Sequence, residues 1–205
     1  MKFNEFYSLT IVHSRDIILV KGVDYMNITK QKSQKTFDKQ AADYDTNIQG
    51  EHARKLYKPI IENLKNKNIH SILDLGCGTG ALLKEIKELN IAEQLFGIDI
   101  SPNMLEIAKN KLGNDATLIL GDSERLPFED SSFDAIVCND SFHHYPQPDI
   151  VEKEVSRCLK QNGVFIIGDC WQPIGARQIM NYYMKHSNSG CLLYTSDAAD
   201  DRISV

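Results

Sequence analysis

No apolar run in this sequence approaches the roughly 20 residues that a membrane-spanning helix needs. The apolar pieces near the N-terminus are interrupted by Arg15 and Asp16, so they do not form the core of a secretory signal. A basic excess is also lacking. Lys and Arg number 23 against 28 Asp and Glu, a formal charge of -5, which is not the electrostatic footprint of a nucleic-acid binder. Cysteine is sparse and unpatterned. Cys77, Cys138, Cys158, Cys170 and Cys191 are odd in number and lack metal-ligand spacing, and several fall in segments of core character. Reduced thiols are expected, with neither a disulfide framework nor a metal site. These absences describe a soluble, cytoplasmic protein, and 205 residues suit one domain with a substantial core.

What the chain does have is the run Asp74-Leu75-Gly76-Cys77-Gly78-Thr79-Gly80. Ser71 to Leu75 reads as a buried strand, and Ala81 to Leu89 carries Leu82, Leu83, Ile86 and Leu89 at helical spacing. The glycines therefore occupy a strand-to-helix turn, where they permit positive φ and close backbone approach to a ligand. The N–H groups opening the helix face the same crevice.

Two cofactor classes use such a turn. Gly76, Gly78 and Ala81 satisfy the relaxed dinucleotide fingerprint, a weak signal by itself. A pyrophosphate on this helix start would lie near the Asp74 carboxylate and be repelled by it. S-adenosylmethionine (SAM) carries an ammonium and a sulfonium, for which the same carboxylate is an asset. Asp99, ending a strand over Leu95 to Ile100, can accept two ribose hydroxyls and suits either cofactor. Ser101 then reads as an N-cap, Pro102 as the first helical residue and Gly113 as the stop, with Met104, Leu105, Ala108 and Leu112 facing the core. Thr117 to Leu120 and Phe133 to Cys138 read as the third and fourth strands, Asp149 to Leu159 as a helix and Gly163 to Asp169 as the fifth strand.

As a set, four motifs make the chain resemble the class I SAM-dependent methyltransferases, particularly the group that includes ubiquinone and menaquinone C-methyltransferases. They are the acidic glycine turn, the block Gly97 to Met104, Gly121-Asp122 ahead of Leu126-Pro127-Phe128, and Phe133 to Val137 ahead of His143-His144. The resemblance runs from about Phe37 to Met184. It implies a Rossmann-like, doubly wound parallel α/β sheet and methyl transfer from SAM to a small-molecule acceptor. In that reading Asp74, Gly76, Gly78 and Gly80 hold the methionine part and Asp99 the ribose. Asp122 takes the adenine amino group, Ile100 and Met104 pack on its ring, and Ser123 offers its N–H. Asn139 lies beside the transferring methyl, and Tyr44, in a lid over Phe37 to Asp45, covers the methionine end. His143 and His144 are candidates for a general base if the acceptor must lose a proton, having unperturbed pKa values near about 6.5. Plainer readings stand beside these: strand-end acids as turn residues, Met104 and Ile100 as core, Arg54 as an exposed helix residue and the two histidines as pocket lining. Asp134 is expected to have no ligand role. A non-catalytic SAM-binding module and, more weakly, an NAD-linked oxidoreductase are the rival functions.

Both ends read as foreign to the fold. Residues 1–25 show no capped helix, and codons for Lys21 to Val23 can spell a ribosome-binding sequence just ahead of Met26, an expected true start. The stretch Cys191 to Asp200 resembles the translation of a sequencing-library adapter. The expected organisation is an upstream extension over 1–25, a lid and helix over 26–68, an incomplete methyltransferase core over 69–189 and a foreign tail over 190–205. Only the first five of the family's seven strands would then be encoded, strands six and seven being missing, and the chain would be less stable and less active than a complete parent.

Overall fold

Strands that are apolar on both faces alternate with amphipathic helices, the pattern of a parallel sheet covered on both sides. The computed structural model describes residues 15–48 and 50–169. Helix α1 (Arg15–Gln40) leads through a short 3-10 turn (Ala41–Asp43) to α2 (Glu51–Leu64). Then follow β1 (Ile69–Leu75), α3 (Ala81–Glu88), β2 (Ala92–Asp99), α4 (Pro102–Leu112), β3 (Ala116–Leu120), β4 (Phe133–Asn139), α5 (Pro148–Cys158) and β5 (Leu159–Gly168). The five strands lie in the order β3-β2-β1-β4-β5, every neighbouring pair parallel. Chain order reverses between β1 and β4, so a crevice opens beyond their carboxyl ends, where sheets of this type bind ligands.

The alternation of side chains along β1 divides the core. Ile72 packs with Ile60, Ile61 and Leu64 of α2 and with Leu83 and Ile86 of α3. Leu73 and Leu75 face the other way, onto Ile136 and onto Val151 and Val155 of α5. Asp134 stitches three strands together, accepting from Ser71 N–H (2.8 Å) and from Lys160 Nζ (3.0 Å).

Helix α4 forms as its caps predict. Ser101 Oγ accepts from Met104 N–H, Pro102 occupies the first turn, and Gly113 leaves the helix at φ 56°. The Ser101 hydroxyl also donates to Asp38 Oδ1 at 2.6 Å. Ser101→Ala removes both bonds, and the lost cap alone is expected to destabilise the fold by about 1 kcal/mol, read as a lower urea midpoint with unchanged m.

Three expectations need correction. Over the described residues helix α1 runs from Arg15 through Met26, so residues 15–25 are helical and no break in secondary structure marks position 25. The run from Arg15 to Gln40 contains no proline, and nothing in it forces a break although no cap announces it. Strand β5 starts at Leu159, immediately after α5, where Leu159 is extended instead of closing the helix. Its register against β4 shifts between Phe133↔Leu159 and Ala135↔Val164, with Asn162 at φ 67° inside the irregularity. Strand β2 likewise starts earlier, at Ala92, because pairing with β1 extends to Ile69. The part of the expected core over 170–189 and the expected tail lie outside the described residues, as do residues 1–14.

Candidate functional site

The glycine turn closes β1 and opens α3. Gly76, Gly78 and Gly80 all have positive φ, at 75°, 51° and 72°. Gly76 N–H and Cys77 N–H both donate to Ile98 O, at 2.9 and 3.0 Å, which ties the turn to the end of β2. Behind Gly76 there is no room for a side chain, since a Cβ would run into Ser141 Oγ and lie 3.0 Å from Tyr145 Oη. The Tyr145 hydroxyl donates to Leu75 O at 3.2 Å, so the segment after β4 buttresses the turn. Gly78 faces open space.

Two carboxylates border that space. Asp74 is 2% exposed, and its Oδ1 is buried without a hydrogen-bond partner. Burial, then the neighbouring Asp99 carboxylate, push the Asp74 carboxyl up to about 8. Asp99 Oδ2 accepts from Gly78 N–H and Oδ1 from Ser101 N–H, both at 2.8 Å. Burial nevertheless holds its carboxyl above the usual range. Asp74, Gly76, Gly78, Asp99, Met104, Asn139 and Tyr44 all line one cavity of about 50 Å³, with Phe37, Tyr57, Asp140 and Ser141 among the other walls. An unpartnered buried carboxylate beside a glycine-lined space fits a cationic ligand, because burying such a charge alone is costly.

The other expected site residues stand elsewhere. Gly80 packs against α4, where a Cβ would lie 2.8 Å from Leu112 and 3.1 Å from Ala108. Ile100 and Ser123 do not line the cavity. Asp122 borders a separate open groove with Gly121, Arg125 and Phe128, and its Oδ2 pairs with Lys30 Nζ at 2.6 Å. His144 stands edge-on to Phe37 at 5.0 Å, partly exposed, with its Nδ1 buried and unpartnered, and desolvation and then His143 hold its ring pKa well below the usual value. His143 stacks on it at 4.0 Å and meets Asp169 instead.

The C-terminal end of α1 and the turn after it form a cover. Phe37 and Tyr44 fill part of the crevice. Asp38 accepts from Ser101 Oγ, Asp45 accepts from Thr79 Oγ1 (2.5 Å) and Lys111 Nζ (2.6 Å), and Lys30 reaches Glu124 (2.5 Å) as well as Asp122. Arg54 donates to Tyr44 O and Asn47 O, holding the turn that carries Tyr44. Tyr44 is kept neutral, its phenol raised by burial and then by Asp140 and Asp99. Sequence reading did not single out Lys30, Asp140 or Asp169, and no local pattern distinguishes them from surface charges.

A parallel sheet of this order with an acidic glycine turn at its switch point defines the class I SAM-dependent methyltransferase fold. The methyltransferase domain family matches residues 73–167. The chain is 32% identical to a demethylmenaquinone methyltransferase of Thermotoga maritima over 163 residues, covering 77% of this chain and 71% of that protein. It therefore belongs to the SAM-dependent methyltransferase family, with SAM as its methyl donor. Among solved structures, a SAM-dependent methyltransferase of Thermotoga maritima superimposes at a TM-score of 0.62 with 21% identity, covering 82% of this chain and 77% of that one. The YcgJ protein of Bacillus subtilis gives 0.61 with 24% identity, covering 72% of this chain and 64% of that one. Both likenesses are likenesses of fold. Among the described residues, no helix is long and apolar enough to cross a membrane.

Proposed function

We propose that this chain itself transfers the SAM methyl group to a small-molecule acceptor, by in-line displacement at the sulfonium. The observation that carries the reading is the buried Asp74 carboxylate, whose Oδ1 has no partner, in the wall of a glycine-lined cavity. Asp74 would receive the ammonium, with the backbone of Gly76 and Gly78 along the methionine part. The spare lone pairs of Asp99 would take the ribose hydroxyls, Met104 would lie against the adenine and Asn139 beside the methyl. Ile100, Ser123 and Asp122 would serve the adenine from outside that cavity, Asp122 with its Oδ2 paired to Lys30. Gly80 serves through the shape of the turn.

SAM supplies an electrophilic methyl on a good leaving group. The protein's part is alignment of the acceptor and exclusion of water, effects that together supply roughly 7–11 kcal/mol in favourable cases. The cover does the second. A cavity of about 50 Å³ is far below the roughly 300–1,000 Å³ of small-molecule pockets, so Phe37 and Tyr44 must withdraw to admit the donor and return over it. Of the two histidines, His143 is the better general base, since the His144 ring is held well below its usual pKa and lies against Phe37.

Calorimetric titration of the full chain with SAM, followed by a transfer assay with 1,4-naphthoquinol, tests the reading. The quinol is chosen because demethylmenaquinone methyltransferases recur among the relatives. Saturable binding that weakens at least 30-fold in Asp99→Ala, with methylated product, is expected. Binding without transfer to this or any other acceptor would make the chain a SAM-binding module.

A further inference from the structure

Three carboxylates line the cavity, and the reading above uses only two of them. Asp74 belongs to β1, Asp99 ends β2 and Asp140 directly follows β4. Among the described residues of the wall there is no Lys, Arg or His to offset their charge. The Arg54 guanidinium donates to Tyr44 O and Asn47 O and is not part of the wall. Asp74 is assigned the ammonium of SAM and Asp99 the ribose, which leaves Asp140 without a task. Its charge nonetheless reaches inside, because after burial it is the largest influence raising the Tyr44 phenol.

The backbone explains part of the choice of residue at this position. Asp140 has φ 52°, a left-handed conformation that Gly, Asn and Asp adopt more readily than other residues. Its N–H donates to Gly168 O at 2.6 Å, so the end of β5 holds the bend in place. Asn or Gly would meet the same backbone demand. What Asp adds is a negative charge, on the cavity wall beside Asn139, the residue placed next to the methyl. Asp169 and His143 have polar atoms within 4.8 Å of the Asp140 carboxylate. They pair with each other at 2.7 Å, and Asp169 adds to the negative field on this side of the cavity.

We propose that Asp140 reads the charge on the donor's sulfur, favouring the sulfonium of SAM over the neutral thioether of the demethylated product, S-adenosylhomocysteine (SAH). The role rests on SAM being the methyl donor. SAM and SAH share their ammonium, carboxylate, ribose and adenine, so the groups assigned to Asp74 and Asp99 are the same in both. The difference is one positive charge at sulfur. In a space of about 50 Å³ walled by protein, a carboxylate attracts that charge more strongly than it would in bulk water. Once the methyl has left, Asp140 faces an uncharged sulfur, and the product is held less tightly than the fresh donor that replaces it. Asp140 is thus a specificity residue. The sulfonium charge disperses as the methyl departs, so attracting it in the ground state does not lower the barrier to transfer.

Calorimetric titration of the full chain with SAM and, separately, with SAH reads this role without any acceptor. The wild type is expected to bind SAM about tenfold or more tighter than SAH. Asp140→Asn keeps the size of the side chain and its tolerance of the left-handed backbone while removing the charge. Most of the preference should disappear, SAM weakening about tenfold while SAH changes less than about twofold. Asp140→Gly, which meets the backbone demand by a different route, should reproduce the loss of preference. Sinefungin, which carries an ammonium where the methylated sulfur stands, should follow SAM. A preference that survives both substitutions overturns the assignment. So does equal weakening of SAM and SAH, the result of a turn that merely shapes the site, and so does a wild type with no preference. If the wild type binds neither ligand, the donor reading itself fails, whereas binding of both at a ratio independent of residue 140 strikes only the role of Asp140.

Discussion

Asp74→Asn is expected to change stability and ligand binding in opposite directions. In the ligand-free protein the Asp74 carboxyl sits at about 8, raised by burial and by Asp99, against about 3.9 in an unfolded chain. Between those values the folded state holds the proton more tightly than the unfolded state does. Stability is therefore greatest below pH 4 as far as this group is concerned, and it erodes as pH rises toward 8. Asparagine has no charge to bury. At pH 8 the variant should be the more stable protein by roughly 3–5 kcal/mol, with the advantage vanishing near pH 4, as urea titrations at the two pH values will show. SAM binding should move the other way. Truncating one member of a buried charge pair costs roughly 2–5 kcal/mol, so the dissociation constant should rise between about 30-fold and a few thousand-fold. The wild type should also release close to one proton on binding at pH 7, because the carboxyl must ionise to meet the ammonium. Calorimetry in buffers of different ionisation enthalpy measures that proton. A variant that is less stable at pH 8 yet binds SAM normally would remove Asp74 from the site.

Gly76→Ala is expected to be the most damaging single methyl group that can be added near the site. Its φ of 75° lies where L-residues are strained by roughly 1–2 kcal/mol, and the new Cβ meets Ser141 Oγ and the Tyr145 hydroxyl. Neither neighbour can yield cheaply. The Tyr145 hydroxyl is engaged with Leu75 O, and Ser141 Oγ with Tyr145. Loss of several degrees in Tm and of measurable SAM binding is the expected result. Gly78→Ala separates strain from crowding, since φ is 51° there but nothing lies within 4 Å of the added Cβ. It should cost only the backbone strain in stability, so a melting point as low as that of Gly76→Ala would show that packing against Ser141 and Tyr145 is not what limits the turn.

The class of fold and several of the residues that line the cavity were legible in the sequence, and the reason is that both are written locally. Strand apolarity, the helical spacing of Leu82, Leu83 and Ile86, the Ser101 cap with Pro102 and Gly113, and glycines at positive φ are each set by residues a few positions apart. Asp74 and Asp99 were expected there because the carboxyl ends of parallel strands border the crevice, and Asn139 through the family resemblance; all three line the cavity. What escaped was long-range. Lys30 meets Asp122 from 92 positions away, Asp38 meets Ser101 from 63, and Asp169 grips His143 across two strand ends. An isolated charge carries no sign of its partner until the sheet register is known, so the sequence alone determined the family, the turn and the strand-end acids. Only the tertiary structure decided that α1 is continuous through Met26, that the cover is pinned by ion pairs, that Asp122 stands apart from Asp74, and which of two adjacent histidines is held by a carboxylate. Local chemistry fixes short-range conformation, whereas the pairing of distant charges is set by the geometry of the packed sheet.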